Sequence, residues 1–173
     1  MEMVARGDHD AFAALFHRHE RGARTFVFRT VRDQDLAEDI VQEVFTKIWI
    51  EAPRWQTRGS FRSFLTTMLS RRCLDHFRKS ETKAKKSELQ EDLPARGENA
   101  MELAARKEEL HFMTAAIEGL PDRQRMALLM VHSEDLSVRE AAKAMNVGEK
   151  ALESLLSRAR EKLRGLFRER KET

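Results

Sequence analysis

Apolar side chains recur at intervals of three and four residues along most of the chain, which is the period of an amphipathic α-helix. The first stripe contains Phe12 and Phe16, and the second is the most regular. The second stripe consists of Leu36, Ile40, Val41, Val44, Phe45 and Ile48. Because the acidic residues before it suit the positive end of a helix dipole, a helix is predicted from Asp33 or Asp35 to Ile50.

A third helix is predicted from Ser60 to about Lys79, since a serine can accept a hydrogen bond from the first turn of a helix. Residues 80–100 are rich in Lys, Glu and Ser and have few large apolar side chains. Such a segment cannot bury a core and is typical of a flexible linker. We therefore predict an all-α protein with two small helical domains, residues 1–79 and 101–173, on either side of this linker.

The C-terminal domain has the pattern of a helix-turn-helix unit. A break at Pro121 separates its first two helices, and Ser137 with Glu140 has the spacing of a capping box at the start of a short helix. Residues 146–148 form a tight turn, and a long helix is predicted over residues 149–168. A short helix, a turn with glycine and a longer helix is an arrangement that often binds DNA.

Charge and cysteine content narrow the functional classes. The 173 residues carry 32 basic and 29 acidic side chains, a net charge of +3, so local placement decides whether nucleic acid can bind. The single cysteine, Cys73, excludes an internal disulfide and a multi-thiolate metal site, and we expect neither metal nor cofactor. With no signal-peptide pattern at the start and no apolar run of about 20 residues, a cytoplasmic location is expected.

The third helix has a basic face. At about 100° per residue, one third of its circumference carries four cations and one acid, namely Arg71, Arg72, Asp75, Arg78 and Lys79. Such a face can bind phosphates, and Arg62 extends it near the helix start. The alternative is an ordinary solvated surface with an Arg72–Asp75 ion pair.

Two further polar stripes have a functional and an ordinary interpretation. Asp39, Gln42, Glu43 and Thr46 lie at i, i+3, i+4 and i+7, where they can dock a basic partner or simply face water. The last helix presents polar side chains in its first turns and four cations further along. The polar side chains of the first turns can enter a major groove, and the cations further along can bind phosphates. A helical hairpin with a solvated face has the same pattern.

Catalytic motifs are missing from the sequence. There is no glycine-rich phosphate loop and no GxSxG motif. His17 and His19 are two residues apart and point to different sides of a helix, so they are poor joint metal ligands. An enzyme and a small-molecule substrate are therefore not expected.

Four blocks of sequence, in the same order, are similar to those of extracytoplasmic-function sigma factors of the sigma-70 family. Residues 35–49 (DLAEDIVQEVFTKIW) resemble the signature of that family, and residues 59–78 resemble the segment that follows it. Residues 120–129 (LPDRQRMALL) and 136–164 (LSVREAA through SRAREKLR) resemble its C-terminal region. The resemblance covers most of the chain and implies a factor that directs bacterial RNA polymerase to promoters and helps to open the DNA.

The resemblance also implies roles for particular residues. The set that would bind the β′ clamp helices of core polymerase is Asp39, Gln42, Glu43 and Thr46, with Phe45 packed inside. The −10 set, which includes the loop that would capture a flipped base, is Gln56, Arg58, Ser60, Arg62, Arg71, Arg72, Asp75, Arg78 and Lys79. The −35 set is Arg139, Lys150, Glu153, Ser154, Ser157, Arg158 and Arg160.

Further partners implied by the resemblance are the polymerase β flap, promoter DNA and an anti-sigma factor, which in this family is often membrane-tethered. The chain departs from the family at several positions. Phe64 replaces a usual Trp, Arg72 a usual Asn, Val138 an aromatic or small polar residue, and Glu153 a Lys or Arg. Arg72 and Glu153 favour one alternative, a sigma-like decoy that binds an anti-sigma factor without promoters. A second alternative, a stand-alone helix-turn-helix regulator, leaves the N-terminal block unexplained.

Overall fold

A computed structural model of the chain describes residues 1–56, 59–83 and 102–172. All regular secondary structure within these ranges is helical, as predicted. The eight α-helices are α1 (Glu2–Ala5), α2 (His9–Val31), α3 (Gln34–Glu51), α4 (Phe61–Lys83), α5 (Glu102–Glu118), α6 (Asp122–His132), α7 (Val138–Ala144) and α8 (Glu149–Glu172). Residues 84–100 of the predicted linker lie outside the described residues, and a short 3₁₀ turn, Ala52–Arg54, follows α3.

Side-chain caps begin four of these helices. The carboxylates of Asp8 and Asp33 accept hydrogen bonds from the amides of Ala11 and Leu36, each at 2.9 Å. The Ser60 hydroxyl accepts from the Ser63 amide at 3.1 Å, which confirms the predicted start of α4. The fourth cap, at Ser137, is the capping box predicted from sequence, with both hydrogen bonds formed.

Helices α1 to α4 form an N-terminal lobe. The predicted stripe of α3 packs against α2 and α4, and Ile40, Val44 and Ile48 are each at most 4% exposed. Leu69 and Cys73 of α4 complete this core. Burial raises the pKa of the Cys73 thiol to about 12, so Cys73 is a buried apolar side chain, as expected from its neighbours.

Helices α5 to α8 form a C-terminal lobe that contains the predicted helix-turn-helix unit. Helix α7 ends at Ala144, and Asn146, two residues later, has a left-handed φ of 53°. The amide of Val147 then bonds to the carbonyl of Ala142, and that of Asn146 to the carbonyl of Lys143. This is a Schellman motif with asparagine in the left-handed position, and it turns the chain into α8.

The two lobes pack directly against each other. Helix α6 contacts α2, and α7 contacts α4, so one apolar cluster contains buried residues of both lobes. Arg125 of α6 lies at this junction and is 3% exposed. Its guanidinium donates to the Thr30 carbonyl of α2 at 2.7 Å and to the carbonyls of Leu120 and Glu118. Burial lowers the pKa of Arg125, and the nearby Asp122 carboxylate offsets part of that effect.

None of the helices in the described part of the chain is long and apolar enough to cross a membrane.

Candidate polymerase and nucleic-acid interfaces

The polar stripe of α3 lies on the surface of the N-terminal lobe. Asp39, Gln42, Glu43 and Thr46 are all exposed, while Phe45 is 2% exposed and belongs to the core. The Thr46 hydroxyl donates to the carbonyl of Gln42 at 2.8 Å, which ties that side chain to its own helix. The structure therefore brings the four predicted polymerase-binding residues together on one solvent-facing stripe.

One member of this stripe is already paired with the basic face of α4. Arg72 donates from Nε to Oε2 of Glu43 at 2.7 Å, and its Nη2 contacts the same oxygen. Asp75 instead pairs with Arg78, at 3.7 Å. The Arg72–Asp75 pair considered from the sequence is thus wrong, because the neighbouring helix offers Arg72 a carboxylate that sequence spacing cannot reveal.

The remaining residues of the basic face are accessible. Arg71, Arg78 and Lys79 are exposed on α4, as the helical spacing predicts. Lys79 also lines a groove between α3 and α4 of about 210 Å³, whose lining includes Asp39 and His76. The groove adjoins both the polar stripe of α3 and the basic face of α4.

A cluster of aromatic rings lies at the start of α4 and at Trp55 before it. Trp55 packs edge-on against Phe64 with ring centroids 4.6 Å apart, and Phe61 packs against His19 at 4.9 Å. Gln56 and Ser60 are exposed at the two described ends of this loop, while the predicted contact Arg58 lies outside the described residues. The ring cluster holds both loop ends at the same edge of the lobe.

Arg62, predicted to extend the basic face, contacts the C-terminal lobe. Its Nε donates to Glu134 at 3.2 Å, and its Nη2 donates to the carbonyl of Ser133 at 3.1 Å. Thr66 lies 3.5 Å from the same carboxylate. In this arrangement of the lobes, Arg62 is engaged by the loop between α6 and α7.

The predicted −35 residues lie on the solvent-facing side of the helix-turn-helix unit. Leu152, Leu156 and Ala159 are buried on one side of α8. All seven members of the set are exposed: Arg139, Lys150, Glu153, Ser154, Ser157, Arg158 and Arg160. Arg160 also lies 3.2 Å from Nε2 of His132, so it contacts α6 as well as solvent.

Sequence reasoning missed several charged residues that join the lobes, among them Arg125, Glu134 and the ion pair of Arg32 with Glu118. A buried arginine has no periodic signal, because arginine is ordinarily a surface residue. The one available hint was its position four residues after Pro121, on the apolar stripe of α6. Glu134 looks like any loop acid until the fold places Arg62 beside it.

Sequence comparisons identify the family. The model of Sigma-70 region 2 matches residues 15–82, and the model of Sigma-70, region 4, matches residues 113–163. The chain belongs to the extracytoplasmic-function (ECF) group of sigma-70 factors. It is 26% identical to the ECF RNA polymerase sigma factor SigK of Mycobacterium ulcerans, over 96% of this chain and 89% of that protein. It is 28% identical to SigM of Bacillus subtilis, over 82% and 86% of the two chains.

Solved structures share the fold of this sigma factor. The sigma factor RpoE of Bartonella quintana, solved with the anti-sigma factor NepR, matches with a TM-score of 0.71 at 21% identity, over 91% of this chain and 97% of that one. CnrH, solved with the cytosolic domain of CnrY, matches with a TM-score of 0.65 at 21% identity, over 95% and 92%. At this identity the likeness concerns the fold.

Proposed function

We propose that this chain is an active ECF sigma factor whose N-terminal lobe binds core RNA polymerase and the −10 element and whose C-terminal lobe reads the −35 element. The observation that carries this proposal is that one chain presents a polar stripe on α3, a basic face on α4 and a helix-turn-helix unit. A stand-alone helix-turn-helix regulator needs only the last of these. A decoy needs no exposed basic face.

Polymerase binding is assigned to the α3 stripe. Asp39, Gln42, Glu43 and Thr46 present acceptors and a hydroxyl without apolar side chains between them, a surface suited to a basic helical partner such as the β′ clamp helices. The C-terminal lobe would contact the β flap. RNA polymerase is cytoplasmic, so we expect the protein to act there.

Promoter opening is assigned to the basic face of α4 and the loop before it. Arg71, Arg78 and Lys79 can neutralise phosphates of the −10 strand. Gln56 and Ser60 lie where a base turned out of the stack could be held. Flipping a base costs a few kcal/mol, and the cost is lower where the strands have already separated.

Reading of the −35 element is assigned to the exposed side of α8. Lys150, Ser154, Ser157 and Arg158 lie at i, i+4, i+7 and i+8 on this side, so they can enter one major groove together. Glu153 cannot bind a phosphate, but its carboxylate can accept a hydrogen bond from a cytosine amino group.

Control by an anti-sigma factor completes the proposal. Two relatives in fold were solved with protein partners, RpoE with an anti-sigma factor and CnrH with CnrY. An anti-sigma factor of this chain would cover the α3 stripe or keep the lobes together, since either makes the promoter-bound complex inaccessible.

Run-off transcription with purified core polymerase tests the function. Wild-type protein is expected to direct specific transcripts from a subset of genomic promoters. A variant with both Asp39→Lys and Glu43→Lys is expected to remain folded and lose this activity together with co-purification of core polymerase. Glu38→Lys with Glu51→Lys is the matched control on the same helix. Absence of transcripts with wild-type protein that still binds an anti-sigma factor would favour the decoy.

A further inference from the structure

The ion pair between Arg72 and Glu43 joins two surfaces to which the proposed function gives different partners. Glu43 belongs to the α3 stripe that binds polymerase, and Arg72 belongs to the basic face that binds −10 DNA. Both guanidinium contacts are made to one carboxylate oxygen, Oε2. Within the described residues, Glu43 is the only carboxylate that forms an ion pair with Arg72.

This pair occupies charges that both partners would use. A carboxylate neutralised by Arg72 attracts an incoming polymerase cation less strongly. A guanidinium whose Nε and Nη2 face a carboxylate likewise offers a phosphate fewer donors and less net charge. The pair therefore opposes each of the two binding events for as long as it is formed.

The pair is also accessible enough to be displaced. The side chains of Arg72 and Glu43 are 39% and 53% exposed, and they border the groove between α3 and α4. Exposed ion pairs contribute only about 0.2–1 kcal/mol. A polymerase cation that is desolvated at an interface can compete with an interaction of that strength.

We propose that Arg72 is an internal competitor for Glu43 and that its displacement couples polymerase binding to −10 DNA binding; this inference rests on the proposed function. In the free protein, Arg72 occupies the Glu43 carboxylate. When core polymerase takes that carboxylate, Arg72 is released toward promoter DNA. Because such coupling is reciprocal, DNA that captures Arg72 also strengthens the hold of polymerase on Glu43.

Arg72→Asn tests this mechanism because it is expected to change two affinities in opposite directions. The affinity of the full-length protein for core polymerase should rise about 1.5- to 5-fold, the equivalent of an exposed ion pair. The affinity of the assembled holoenzyme, at saturating core, for a −10 fork-junction DNA should fall. Fluorescence anisotropy measures both, with labelled protein in the first case and labelled DNA in the second.

Arg71→Asn is the matched control, because it removes the same charge from the adjacent exposed position without touching Glu43. It should weaken DNA binding by holoenzyme without the gain in core affinity. A double-mutant cycle adds a second control: in a Glu43→Gln background, Arg72→Asn should no longer raise core affinity, since the competitor has lost its target.

Three results would overturn the inference. They are an unchanged or lower core affinity for Arg72→Asn, an equal gain for Arg71→Asn, and additive effects in the cycle with Glu43→Gln. Failure of the wild-type protein to bind core polymerase would instead contradict the proposed function itself. Circular dichroism of each variant establishes that its helices remain folded.

Discussion

At the scale of single residues, Arg125 has the most demanding environment in the described part of the chain. Its guanidinium lies among apolar side chains of α6 and donates to main-chain carbonyls on both sides of the lobe junction. A buried cation is tolerated only where it is fully hydrogen-bonded. The carbonyls of Thr30 and Leu120 depend on it in turn for a side-chain donor, whereas the carbonyl of Glu118 also accepts from Arg32.

Arg125→Met is therefore expected to lower the free energy of unfolding by about 2–4 kcal/mol, because it leaves buried carbonyls without donors. Urea unfolding followed by circular dichroism measures the change. Arg123→Met is the control, since Arg123 is exposed on the same helix and should change stability by less than about 0.5 kcal/mol. Equal effects of the two substitutions would contradict the role given to Arg125.

At the scale of elements, the helix-turn-helix unit depends on its capping box. The Ser137 hydroxyl accepts from the amide of Glu140, and the Glu140 carboxylate accepts from the Ser137 hydroxyl at 2.7 Å and from its amide at 2.9 Å. The hydrogen bond from the Ser137 hydroxyl has the larger effect and that from the Ser137 amide the smaller, and together they hold the pKa of Glu140 below its usual range. The cap sets the direction in which α7 leaves the preceding loop.

Ser137→Ala is expected to lower the free energy of unfolding by about 0.5–2 kcal/mol, since it removes an N-cap. Urea unfolding at pH 7 measures this loss.

The stability that Glu140 contributes is expected to depend on pH. The pKa of Glu140 is lower in the folded protein than in the unfolded chain, where it is about 4.3. The ionised carboxylate therefore stabilises the folded protein above about pH 4.3, and this stabilisation is lost as the pH falls through the folded-state pKa. Urea midpoints between pH 7 and pH 3 measure this. Ser137→Ala should flatten that dependence, whereas Ser157→Ala, an exposed mid-helix control, should leave it unchanged.

Glu153 lies on the exposed side of α8, where the −35 element is proposed to bind. Glu153→Ala is expected to relax the preference for one base pair of the −35 element, because a good side-chain contact to a base edge contributes about 1–3 kcal/mol of discrimination. Binding of holoenzyme to promoters randomised at −35 measures this preference. Glu161→Ala removes the same charge further along α8 and should leave the preference intact. Retained specificity in Glu153→Ala would exclude base reading by this residue.

At the scale of the whole molecule, the contact between the lobes conflicts with simultaneous reading of both promoter elements. The −10 and −35 elements lie about 25 base pairs apart, which is about 85 Å of B-DNA at 3.4 Å per base pair. A compact chain of this length has a radius of gyration of about 16 Å. For the lobes to read these elements as proposed, they must separate, which breaks the Arg125–Thr30 and Arg62–Glu134 contacts and frees Arg62 for DNA.

Separation of the lobes can be measured by energy transfer between dyes on Arg29→Cys in α2 and Glu161→Cys in α8. Addition of core polymerase should lower the transfer efficiency. Native Cys73 does not interfere, because its buried thiol, with a pKa of about 12, forms little thiolate at neutral pH. A control pair within the N-terminal lobe, Arg29→Cys with Arg54→Cys, should keep a constant efficiency. Unchanged transfer between the lobes would mean that polymerase binds the closed form.

The sequence by itself determined most of the helices, the caps at Ser60 and Ser137, and the exposed stripes. The spacing from Leu36 to Ile48 and the pairing of Ser137 with Glu140 are local signals, since a helix period or a cap involves residues only a few positions apart. The resemblance in residues 35–49 indicates the family without reference to the fold. Most predicted site residues lie on the surfaces that their helical spacing requires.

Only the tertiary structure decided which charges meet. Arg72 pairs with Glu43 across 29 residues, Arg62 with Glu134 across 72, and Arg125 reaches Thr30 across 95. No periodicity links positions so far apart, because their proximity depends on how helices cross and on how the lobes pack. The division of surface charges between internal partners, polymerase and DNA is therefore a property of the folded molecule.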